Sequence, residues 1–115
     1  MSEQIRTRLA DDLRLSRVWE GAGQVDAAWA ALEEAHILSQ PWAGAHVRVH
    51  TAMFALAWRL RDRREILGQL VRLSVAGPGS LLGRYPVGNT GRSDVPMTQP
   101  MEITPDLAEL LGADR

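Results

Sequence analysis

Cysteine is absent from the 115 residues, which removes disulfides, thiolate metal sites and cysteine nucleophiles together. Lysine is absent too, so all 13 basic side chains are arginine, a bias that reflects genome composition rather than a binding role. Charges of the two signs nearly cancel, leaving a net charge of -1. That balance excludes field-scale attraction for nucleic-acid phosphates or an anionic membrane surface. No stretch approaches the roughly 20 apolar residues of a membrane span. Met1 to Arg14 alternates charged with apolar residues where a signal peptide would carry an apolar core. A cytoplasmic protein is expected, with neither nucleic acid nor membrane among its partners. Gly-x-Ser-x-Gly does not occur, and serine hydrolase chemistry is unsupported.

The apolar residues that are present recur at helical steps. Ile5, Leu9, Leu13 and Trp19 predict a first helix that ends at Gly21-Ala-Gly23. Val25, Ala28, Trp29, Leu32 and Ala35 predict a second, stopped at Pro41. Pro41 then suits the first turn of a third helix with the stripe Trp42, Ala45, Val49, Met53, Leu56 and Leu60. Asp62 and Glu65 have the spacing of a capping box ahead of Ile66, Leu67, Leu70, Val71 and Leu73, a fourth helix that should end at Gly77-Pro78-Gly79. Residues 79–100 are rich in Gly and Pro and read as an ordered loop or arm. Thr104, Pro105, Leu107, Leu110 and Leu111 read as a short terminal helix.

The expected fold is therefore all-α. It is a single domain over 1–115 with a four-helix core over 1–76, an arm over 77–103 and a short helix over 104–112. Short connections make consecutive helices antiparallel, giving two helical hairpins. Leu15, Ser16, Trp19, Ala28, Leu32 and Ala35 fall at spacings that resemble the packing positions of one tetratricopeptide repeat. Pro41 lies one place later than that pattern wants. A second repeat would set Asp62 where a small buried residue belongs, and an array of three is absent. The run Glu33 to Trp42, the pair His46 and His50, and the segment Gly83 to Gly91 resemble a bacterial family of helical proteins catalogued as a domain of unknown function. That resemblance implies a compact bacterial protein and carries no activity or site residue with it.

All three histidines, His36, His46 and His50, lie within 15 residues that straddle a helix turn. His46 and His50 are four apart, a spacing by which one helix face offers two imidazoles to one metal. Glu33 and His36 are three apart, the Glu-x-x-His spacing by which helical bundles present a carboxylate and an imidazole to iron or manganese. An antiparallel hairpin brings both pairs to similar heights, so Glu33, His36, His46 and His50 form the candidate metal set. Such nitrogen-rich donors suit zinc, iron or copper rather than magnesium or calcium. With three protein ligands a fourth position stays open for water or substrate, so metal handling and metal-dependent chemistry both follow.

A structural reading stands beside this one. His46 can be a half-buried core histidine bonded to a carbonyl or to Glu33, and His36 can sit against the end of its helix as a cation favoured by the dipole. On that reading the chain is a tetratricopeptide-like module that contacts a protein partner or a second copy of itself. Gln40, four after His36, can orient it or satisfy a helix end, while Glu20 and Glu34 are expected in solvent. The segment Gly83–Gly91 with Arg84, Tyr85, Asn89 and Arg92 reads as a surface turn covering the bundle, or as an anion contact through main-chain N–H groups. Trp19, Trp29, Trp42 and Trp58 are expected in the packing.

Overall fold

The computed structural model describes residues 1–113. It is all-helical, with α1 (Glu3–Gly21), α2 (Val25–Ser39), α3 (Ala43–Arg59), α4 (Arg63–Leu81) and α5 (Pro105–Ala113), and no strand among the described residues. No helix of those residues is long and apolar enough to cross a membrane.

Local chemistry sets most boundaries. The Ser2 hydroxyl accepts the Ile5 N–H at 3.2 Å and opens α1. Gly23 at φ +76° turns the chain out of it while Gln24 N–H returns to the Trp19 carbonyl. Pro41 lies in the turn rather than in the third helix. Trp42 is extended and serves as N-cap, and α3 begins where its carbonyl accepts the His46 N–H at 2.8 Å. The capping box at α4 is half formed. Asp62 accepts the Glu65 N–H at 3.1 Å, but Glu65 is buried and does not reach back, because its carboxylate holds the arm. Nor does α4 stop at Gly77. It continues through Pro78 to Leu81 because buried Ser80 anchors the last turn, donating to the Gln40 carbonyl at 2.5 Å.

α1 pairs with α2 and α3 with α4, and α2 packs on α3. The core is Ile5, Leu9, Ala28, Leu32, Ala35, Leu38, Val49, Met53 and Leu56 with Leu107 of α5. Arg8 clasps Glu34 through Nε at 2.9 Å and Nη2 at 2.8 Å, and Arg59 clasps Glu20 at 2.7 and 2.8 Å. Glu20 and Glu34, expected in solvent, thus tie neighbouring helices, since planar guanidinium matches carboxylate in a bidentate pair. Trp29 is buried with Arg92 stacked 3.8 Å above its ring, whereas Trp19 and Trp58 lie exposed, against the expected packing.

The fourth helix reverses the expected pattern. Its inward face carries Glu65, Gln69, Arg72, Ala76 and Ser80, a stripe of mostly polar residues at steps of three and four. Leu67, Leu70, Val71 and Val75 face outward. The polar stripe is inside because the arm, residues 82–104, lies against it. Arg72 donates to the carbonyls of Arg92 and Val95, and Gln69 to that of Gly91.

Asp12 on α1 is buried with Oδ2 unpaired. Burial, then the adjacent Glu34 carboxylate, pushes its pKa up from 3.8 to about 8. Folded Asp12 keeps a proton that the unfolded chain releases, so its contribution to stability is fully present below pH 3.8 and is lost as pH rises to about 8. Asp12→Asn stays neutral throughout. It should melt several degrees above wild type at pH 9 and level with it near pH 4 in paired thermal scans; a difference independent of pH would rule this account out.

Candidate metal centre

His36 sits in the last turn of α2, His46 in the first turn of α3 and His50 one turn on. The tight Ser39–Trp42 turn sets the two helix ends side by side, and all three imidazoles are buried. Their ring centroids lie 4.6 to 4.9 Å apart. One ligand atom from each falls within 4.8 Å of the others, a grouping able to hold a metal ion.

The surrounding hydrogen bonds fix which nitrogen of each ring carries its proton. His36 Nδ1–H donates to the Asn89 carbonyl at 2.6 Å. His50 Nδ1 lies 2.7 Å from Gln69 Oε1, and the Gln69 amide orientation is set because its Nε2 donates to Glu65 at 3.1 Å and to the Gly91 carbonyl at 2.8 Å. His50 must therefore donate. His46 Nδ1 lies 2.7 Å from Ser80 Oγ, whose own proton is spent on the Gln40 carbonyl, so His46 donates as well. Every Nδ1 holds a proton and every Nε2 presents a lone pair.

Those lone pairs converge. His36 Nε2 is 3.0 Å from His50 Nε2 and 3.0 Å from His46 Nε2. Nitrogens bound about 2.0–2.1 Å from one metal ion are spaced about 2.9–3.4 Å, depending on the angle between them. A shared proton would bridge only one pair. Burial first, and the neighbouring imidazoles next, keep His36 well below its ordinary pKa and bring His46 to about 4; burial lowers His50 too. The downward shifts favour the neutral ring, the form that binds metal.

Glu33 is not with them. It lies outside the group of atoms within 4.8 Å, and its Oε2 is 3.7 Å from Arg92 Nη1. Three residues advance a helix about 300°, so Glu33 diverges from His36 by about 60°, and the arm's arginine meets it there. Gln40 does not orient His36 either. Its Nε2 donates to the Pro86 carbonyl at 2.8 Å and its Oε1 accepts the Gly88 N–H at 3.1 Å, which pins the start of the arm.

The arm itself completes the centre. Asn89 is buried, held by the Pro96 and Gln99 carbonyls, and offers its own carbonyl to His36. Gly91, at φ +83°, passes so close that a Cβ there would lie 2.6 Å from His36 Cδ2. Of the orienting residues, Asn89 is read in the sequence only as part of a surface turn or anion contact, and Gln69 and Ser80 are not singled out, although polar residues at 65, 69, 72 and 80 on one face of an apolar helix are a readable signal. The three histidines wall a cavity of about 50 Å³ with Arg72, Ala76, Tyr85, Asn89 and Gly91.

The profile of a family described as "Protein of unknown function (DUF3703)" matches residues 3–111. Nothing among curated proteins or solved structures matches.

Proposed function

The chain belongs to the DUF3703 family of proteins of unknown function, and we propose that it binds one transition metal ion through Nε2 of His36, His46 and His50, in metal handling or metal-dependent chemistry. One observation carries this reading: three buried imidazoles bring their Nε2 atoms together, His36 Nε2 lying 3.0 Å from both others, with every Nδ1 proton committed elsewhere. Without a cation the His36 lone pair repels those of His46 and His50 in a desolvated site, and a single ion relieves both contacts. The nitrogen donors favour zinc, iron(II) or copper. Elemental analysis of tag-free protein should find close to one metal per chain, and His46→Ala with His50→Ala should abolish it. Metal-free wild type after exposure to all three ions would remove the reading.

The outward apolar face of α4 favours a second role, self-association. Leu67, Val71 and Val75 with Leu82 just beyond the helix form an exposed stripe. Arg63 and Arg64 stand at its N-terminal end, and its C-terminal end bears no acidic residue. A second copy laid antiparallel sets those arginines near the partner's helix C-terminus, where the dipole is negative, whereas a parallel pair opposes arginine to arginine. Light scattering should show a dimer that Leu67→Glu with Val71→Glu converts to monomer; a monomer at all concentrations would refute it.

A further inference from the structure

Arg72 is buried, 8 % exposed, and forms part of the cavity wall beside the three histidines. Its guanidinium is held by neutral acceptors alone: Nη1 donates to the Gly68 carbonyl at 3.1 Å, and Nη2 to those of Arg92 at 3.1 Å and Val95 at 2.8 Å. No carboxylate lies within ion-pair distance of it among the described residues. Glu65, the acid nearest in effect, is taken up by Arg92 Nε at 2.6 Å, the Ser93 N–H at 3.0 Å and Gln69 at 3.1 Å. A buried guanidinium normally meets an anion, because an uncompensated charge in a weakly polarisable interior is costly. Two of its five N–H groups remain uncommitted.

A divalent ion on three neutral imidazoles raises the imbalance. Glu33 and Glu65 pair with Arg92, and Glu65 and Asp94 act on Arg72 only from beyond ion-pair distance, so among the described residues no carboxylate contacts Arg72 or joins the three imidazoles. The cavity of about 50 Å³ has room for a ligand of only a few atoms. Resting on the metal reading above, we propose that the ion's open coordination position selects a small monoanion, of the size of formate, bicarbonate or azide, that Arg72 holds from the other side. The ligand class then follows from charge and volume: anionic, planar or linear, and too small to carry a side group.

Cobalt(II) is the probe, since its visible absorption reports its ligands. Protein loaded with cobalt should change spectrum on titration with azide. Arg72→Gln should weaken azide about 10–100-fold while cobalt stays bound, the loss of one charge-assisted contact, and Arg72→Lys should keep most of the affinity. Failure of wild type to take up cobalt would count against the metal reading itself. Cobalt uptake with no response to azide, or equal azide affinity in Arg72→Gln, would overturn the anion inference alone. Should Arg72→Gln not fold, formate against uncharged formamide on wild type decides: formate should bind at least about tenfold tighter, and equal binding overturns the proposal.

Discussion

Stripping metal from loaded wild-type protein should lower its melting temperature by roughly 10 °C or more. A ligand that binds only the folded chain stabilises it by about 2.7 kcal/mol at a hundred times its dissociation constant. For a domain near this size each kcal/mol moves the midpoint by roughly 4–8 °C. The linkage should be large here because the ligands come from two helices, with supporting bonds from α4 and the arm, so the ion ties together α2, α3, α4 and residues 89–91. His46→Ala with His50→Ala should melt at the same temperature with and without chelator, whatever its own stability. A wild-type transition unmoved by chelator, and by added zinc, iron(II) or copper, would show that the imidazoles hold no ion.

Gly91→Ala should weaken metal binding about 10–100-fold, the range seen when a residue that orients a ligand is lost. Two effects add. At φ +83° a Cβ is strained by about 1–2 kcal/mol, and the same Cβ would stand 2.6 Å from His36 Cδ2 and 2.9 Å from Nε2, the ligand atom. His36 must rotate or the arm must lift, and lifting also costs Gln69 its bond to the Gly91 carbonyl. Gly83→Ala separates the two effects, since Gly83 sits at φ +67° with nothing within 4 Å of its added Cβ. That variant should lose a little thermal stability and keep its metal. Equal metal affinity in Gly91→Ala and wild type, measured by competition with a chelating dye, would mean that the arm does not set the ring's position.

The second result turns on a contact between residues more than 50 positions apart, His36 and Gly91. His36, His46 and His50 were legible as a set because two of them share a helix face and the third lies across one short turn, and local spacing decides both. Glu33 was read with them on the same logic and stands apart. A three-residue step leaves the two side chains diverging, and the choice between the centre and Arg92 depends on where the arm delivers its arginine. Gln69, Ser80 and Asn89 orient the three rings from 19, 34 and 53 residues away. No periodicity encodes such distances. The apolar run of α4 misled for a related reason: inward and outward faces are assigned by what packs against them, and polar Glu65, Gln69 and Arg72 go inward to meet arm carbonyls and the Arg92 side chain.

The sequence by itself determined the helices and their hairpin order, since apolar steps of three and four, caps at Ser2 and Asp62 and the breakers Gly23 and Pro41 act within a few residues of where they stand. It also put the three histidines of a chain without cysteine within 15 residues of one another. Tertiary structure alone decided that α4 turns its polar side inward, that residues 82–104 close over the helix ends, and that each imidazole donates its Nδ1–H to an acceptor distant in sequence. Which nitrogen a histidine protonates depends on the acceptor it meets, and that acceptor is supplied only when the chain returns to it in three dimensions.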